Sequence, residues 1–173
     1  MEPATKSAIT PEFVIAYREL ILSTFAAEMQ TTKKVIAAIP EGRKGYRPDP
    51  KSRIAVELAW HIVYDDTVFL EMIAKLDIKP APMQAPPPTI ADMLKWYEEN
   101  FPKAIKQVRD MSAEQLLTPV DFFGVMKEPV FKYLLLVNNH SVHHRGQLAS
   151  YLRAMGSRVP SIYGGSADEP FKS

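Results

Sequence analysis

Apolar residues recur at three- and four-residue spacing through four long stretches of the chain, and the two-residue spacing of strands never persists beyond a few positions. The first stretch runs from about Pro11 to Ile39. Phe13, Tyr17, Leu20, Ile21, Phe25, Met29, Thr32, Ile36 and Ile39 form one predicted helix face. Thr10 is a suitable N-cap, and Pro11 stands where a missing N–H costs nothing. Pro40, Gly42 and Gly45 end the pattern. The second stretch runs from about Ser52, a reasonable cap, to Leu76. Ile54, Leu58, Ile62, Phe69, Met72 and Leu76 make its stripe, with His61 and Asp65 beside it. The third begins at Thr89, with Asp92 at capping-box spacing, and continues through Ile90, Met93, Leu94, Tyr97, Phe101, Ile105 and Val108. Pro102 falls inside it and predicts a kink. Ser112 with Gln115 reads as the cap of a further short turn. The fourth stretch opens at Pro129 and ends at Gly156. Its stripe is Tyr133, Leu136, Val137, His140, His144, Leu148, Tyr151 and Met155.

Prolines punctuate the spaces between. They cluster at Pro40, Pro48 and Pro50, then at Pro80, Pro82 and the run Pro86–Pro88, so the segment from Asp77 to Pro88 predicts an extended, semi-rigid connection. From Leu116 to Glu128 the pattern is irregular, and the stretch after Gly156 reads as a loop. The expectation is an all-α four-helix bundle in a single domain, residues 1–173, with the C-terminal tail 156–173 packed on it. A length of 173 residues with 46% apolar and 24% charged residues suits one buried core.

Charge and composition remove several functions. Lys+Arg number 21 against 20 Asp+Glu, so bulk positive charge does not recruit nucleic acid, and no nucleic-acid partner is expected. The absence of cysteine excludes disulfides, a protein thiolate nucleophile and any Cys-ligated metal. The first residues carry no apolar signal-peptide core, and no apolar run approaches the ~20 residues of a membrane span. The reading is a soluble, cytoplasmic protein with no membrane partner.

All four histidines fall on predicted helices, three of them within His140-Ser141-Val142-His143-His144. Positions i and i+4 of a helix differ by about 40° in azimuth, so His140 and His144 point the same way, one turn apart. His140 with His143 is the competing pair. The apolar stripe decides for His144, which precedes Leu148 by one turn, and leaves His143 as a surface or supporting residue. His61, between Leu58 and Ile62, supplies a third imidazole if the second and fourth helices are neighbours. Three neutral histidines with an open position suit a catalytic divalent ion rather than a closed structural one. Asp65 and Glu57 each lie four residues from His61, so either can reach the site; the plainer reading makes both ordinary solvated helix charges. Arg145 and Gln147 flank His144 and read as structural residues.

The run from His140 to Gly156, with its His144-Arg-Gly-Gln147 core, is followed by Pro160-Ser-Ile-Tyr-Gly164 and Asp168. Together with Glu57-Leu-Ala-Trp-His61 it resembles the DinB/YfiT-like superfamily. That resemblance implies an up-up-down-down type of bundle and a divalent metal, nickel or zinc, on His61, His140 and His144. It also implies a homodimer, and an activity among those assigned in the family: thiol-dependent S-transfer or a mycothiol-dependent isomerisation.

Three functions compete. The first is a metal-dependent enzyme, with thiol-dependent S-transfer on a small-molecule substrate as the leading form; lacking cysteine, the chain needs an exogenous low-molecular-weight thiol. The second is a hydrolase using metal-bound hydroxide at the same ligands. The third is a non-catalytic bundle that binds a ligand or partner. No catalytic side chain beyond the metal ligands is evident from the sequence.

Overall fold

A computed structural model describes residues 9–171. The chain forms helices α1 (Pro11–Ala37), α2 (Ala55–Ala74), α3 (Ile90–Arg109), the short α4 (Ala113–Leu117) and α5 (Phe131–Ala154). A two-stranded hairpin, β1 (Pro119–Phe122) and β2 (Met126–Pro129), precedes α5. The four long helices make the predicted bundle; residues 1–8 and 172–173 of the expected 1–173 domain lie outside the described residues.

Thr10 caps α1 through its hydroxyl, which accepts the Phe13 N–H at 3.2 Å. The buried face of α1 differs from the predicted stripe in its first half. Val14, Arg18 and Leu22 point inward, while Phe13 and Leu20 are 51% and 62% exposed. Arg18 is the reason. Its guanidinium donates to the Met111 carbonyl at 2.7 Å, so a charged residue occupies a core position that a count of apolar residues passes over. Helix α2 starts at Ala55, later than the predicted Ser52, and Glu57 there accepts the Ile54 N–H at 3.3 Å. Helix α3 runs on through Pro102. Pro102 and Glu98 are both exposed, so the carbonyl left without its N–H partner belongs to the solvent side of the helix.

Side-chain pairs fix the helix directions. Tyr17 meets Phe131, and Arg145 reaches Glu28 and Thr32, so α1 and α5 run parallel. Lys33 pairs with Glu98, and Arg109 with Glu19, so α3 opposes α1. His61 faces His144, whereas Phe69, farther along α2, faces the earlier His140, so α2 opposes α5. The order is therefore up-down-down-up, which corrects the up-up-down-down order that the resemblance implied. Parallel α2 and α3 need a connection that returns along the whole bundle. Twenty helical residues span about 30 Å, and twelve residues of extended, Pro-rich chain at ~3.1 Å each cover that distance. The segment 77–88 does this without regular structure, pinned midway where Trp60 Nε1 donates to the Gln84 carbonyl at 2.7 Å.

The hairpin replaces what reads as irregular sequence. Val120 pairs with Glu128 and Phe122 with Met126, and the Val125 N–H donates to the Phe122 carbonyl at 2.9 Å, closing a turn within the three-residue connection 123–125. Phe123 and Gly124 occupy that turn with φ of 55° and 74°. Such a turn favours Asn-Gly; a phenylalanine held left-handed costs about 1–3 kcal/mol. Tyr133 clamps the hairpin to α5 by donating to the Val120 carbonyl at 2.8 Å. The tail lies against the bundle. Ser157 Oγ donates to the Ala38 carbonyl (2.6 Å), Arg153 pairs with Asp168 (2.7 Å), and Tyr163 Oη meets Arg145 (2.5 Å).

Candidate metal centre

The antiparallel contact of α2 with α5 brings His61, His140 and His144 together, with one ring nitrogen of each inside a sphere of mutual separations no greater than 4.8 Å. His61 Nε2 lies 3.2 Å from His140 Nε2 and 3.2 Å from His144 Nε2. His143 is exposed and stays outside the trio, its ring packed beside that of His144.

The other ring nitrogens show which way the lone pairs face. His144 Nδ1 lies 2.7 Å from Gln147 Oε1, and an amide oxygen there accepts a hydrogen bond from a protonated Nδ1. Asp65 Oδ2 sits 3.0 Å from His61 Nδ1, off the line of a directed hydrogen bond, and 3.8 Å from His140 Nε2. Its negative charge favours the proton of His61 on Nδ1. Burial, reinforced by the facing imidazoles His144 and His61, pushes His140 down to about 4, and burial lowers His144 as well. Both are therefore neutral at physiological pH. Where Nδ1 carries the proton, as at His144, Nε2 turns a lone pair toward the other two rings, and a cation among the three Nε2 atoms satisfies lone pairs that otherwise face one another. Ligand–metal bonds of about 2.0–2.1 Å in a tetrahedral site place donor nitrogens ~3.3 Å apart, close to the two observed separations. The donor set fits a divalent ion.

Glu57 does not join the site; it caps the start of α2. Arg145 is structural, as expected: it is buried and ties Glu28, Thr32 and Tyr163 together. Gln147 is a correction, because its amide touches His144 and orients the ring. Its i+3 spacing from His144 was the available signal.

Beneath the trio lies a polar core network. Asp66 is fully buried between α2, α3 and α5, and its Oδ2 accepts from Tyr97 Oη at 2.7 Å and Ser141 Oγ at 3.0 Å. Its Oδ1 has no hydrogen-bond partner among the described residues. Burial pushes this carboxyl up to about 8 against the pull of those two hydroxyls, so it is a neutral acid in much of the physiological range. Ser141 stands on α5 between the two histidines, and the network thereby fixes the register of α5 against α2.

The sequence profile of the DinB family matches residues 12–170. The chain belongs to the DinB family. It is similar to YjoA of Bacillus subtilis strain 168, at 28% identity over 147 residues covering 83% of this chain and 94% of YjoA. It is also similar to YrdA of the same strain, at 25% identity over 86% of this chain and 89% of YrdA. Both of those proteins are described as uncharacterized. The crystal structure of the DinB-like YjoA superposes with a TM-score of 0.67 over 83% of this chain and 96% of that one. A DinB-like protein from Bacillus cereus ATCC 10987 gives 0.67 at 25% identity, over 84% and 97%. Membership in the DinB family agrees with the all-α bundle and with a three-histidine cluster compatible with metal. No helix among the described residues is long and apolar enough to cross a membrane.

Proposed function

We propose that this DinB-family chain is a metal-dependent enzyme that holds one divalent ion, nickel or zinc, on Nε2 of His61, His140 and His144. The observation that carries this reading is the convergence of three Nε2 atoms, with His140 and His144 kept neutral by burial, Gln147 orienting His144 from behind and Asp65 beside His61 Nδ1. When bound, such an ion supplies Lewis acidity and lowers the pKa of a water or thiol in its open position. The leading reaction is thiol-dependent S-transfer to a small-molecule electrophile. With no cysteine in the chain, the thiol is a small exogenous one, and this suits a reducing, cytoplasmic setting. Gln147 holds His144 in the tautomer that presents Nε2, and the Asp65 carboxylate beside His61 Nδ1 favours the same tautomer there. We further expect a homodimer, with no nucleic-acid or membrane partner.

Metal content per chain, followed by a screen of electrophiles with and without bacillithiol, mycothiol and glutathione, tests the reading. The expected result is about one ion per chain and turnover only with a thiol. Thiol-independent turnover makes the protein a hydrolase, and bound metal with no turnover across the screen makes it a binding protein. Sedimentation at working concentrations checks the dimer; a species of 19.5 kDa alone rejects it.

A further inference from the structure

Two cavities flank the histidine trio, of about 260 Å³ and about 250 Å³. Phe69 and Phe123 line both. Asp65 stands in the wall of the first, and His140 in the wall of the second, whose remaining lining is Phe122, Leu136 and Val137. Phe69 presents its ring to His140 with centroids 6.1 Å apart, Phe122 stacks on Phe69 at 6.0 Å, and Phe123 meets Phe69 edge-on at 5.9 Å. A cavity of roughly 150 Å³ lined by apolar side chains holds a benzene ring. Each of these spaces therefore holds one ring with a substituent, or a chain of comparable size.

The backbone supplies an independent observation. Phe123 carries φ of 55° at the first central position of the hairpin turn, followed by Gly124 at 74°. Asn would relieve that conformation, and the chain retains a bulky aromatic there instead. Strained residues of this kind concentrate at ligand contacts. The ring that the strained residue carries is one of the two shared by both cavities.

We propose that the substrate of this centre is a small molecule with a metal-coordinating head and an apolar body about the size of one substituted ring, which packs against Phe69 and Phe123. The proposal rests on the metal reading for its head and on the aromatic wall for its body. Lys79, at the rim of the first cavity, is paired with Asp77 at 2.9 Å, so its charge is already met and the body needs no anionic group.

The test uses metal-loaded protein and two hydroxamates that share a head, acetohydroxamate and 3-phenylpropanohydroxamate. The phenyl compound binds about tenfold tighter or more, the return expected from burying one ring. In Phe123→Asn that advantage collapses while Tm stays level or rises, because Asn-Gly suits the turn; Phe69→Ala also loses the advantage. Equal binding of the two hydroxamates to fully loaded protein overturns the proposal, as does an undiminished advantage in Phe123→Asn. Metal content of the same samples keeps the two readings apart. If the chain takes up no ion, the metal reading fails and toluene binding by ligand-observed NMR replaces the hydroxamates. Toluene then binds the wild type and not Phe123→Asn, and the lack of any such difference overturns the aromatic site.

Discussion

Replacing Asp66 by Asn tests whether the buried carboxyl under the histidine trio is protonated in the folded protein. Asp66 is 0% exposed, and burial raises it from the ordinary 3.8 to about 8. In the window between those two values the folded chain keeps a proton that the unfolded chain releases. Stability then falls as pH rises through the window: the contribution is complete below the unfolded value and gone above the folded one. Asn does not titrate, so the difference between Asp66→Asn and wild type isolates this group. Each pH unit inside the window is worth about 1.4 kcal/mol, so between about pH 5 and pH 7 the variant gains roughly 3 kcal/mol on the wild type. For a chain of this length that is a relative Tm gain of about 6–12 °C. Asn retains an oxygen for the Tyr97 and Ser141 hydroxyls, so packing changes little. Urea denaturation of both proteins at several pH values, in chelator so that ion release does not enter the difference, is the assay. A stability difference that stays flat across this range would mean that Asp66 is ionised in the fold, and the argument from its burial would be wrong.

Other substitutions probe separate parts of the molecule. His144→Ala should lose bound nickel or zinc whereas His143→Ala keeps it, by metal content on folded samples; the reverse result moves the site to the other face of α5. Gln147→Leu, which frees His144 Nδ1, should weaken metal affinity about 10-fold or more in a chelator competition, and unchanged affinity removes Gln147 from the site. Arg145→Ala breaks a buried pair with Glu28 and releases Tyr163; a loss of about 3 kcal/mol is expected, and a Tm within a degree or two of wild type refutes it. Pro102→Ala restores a helical N–H at an exposed position and should stabilise by about 1–3 kcal/mol; a destabilised variant would show that the proline shapes α3.

The helices were legible because their signals are local. Thr10 and Thr89 cap where their side chains can meet the first free N–H groups, and Pro-rich segments cannot continue a helix. The up-down-down-up order was not legible, since it depends on which faces meet across the bundle. It is decided by contacts such as Arg145 with Glu28, 117 residues apart in sequence. The hairpin escaped because its strands are four residues each and its turn carries Phe123 where the usual hairpin signal is Asn. The buried face of α1 was misplaced by the position of Arg18, a polar residue whose stem does apolar packing.

The face of α5 went astray in a way that bears on function. Its core side is Leu134, Val137, Asn138, Ser141, Arg145, Leu148 and Leu152, so three polar residues interrupt the apolar count. A stripe of apolar residues alone runs toward Leu136, which is 39% exposed, and centres on His140 and His144. The pairing of those two histidines survived because one-turn spacing is a property of the helix, independent of where the core lies. Their true place is the border between the buried face and solvent. A donor at the centre of the core would be enclosed, and a donor on the outer face would be hydrated and titrate freely. At the border, His140 is buried enough to be held neutral near pH 7, yet it remains in the wall of an open aromatic cavity. Ser141 and Arg145, the polar residues that displaced the stripe, are the ones that anchor this border, to Asp66 on α2 and to Glu28 on α1.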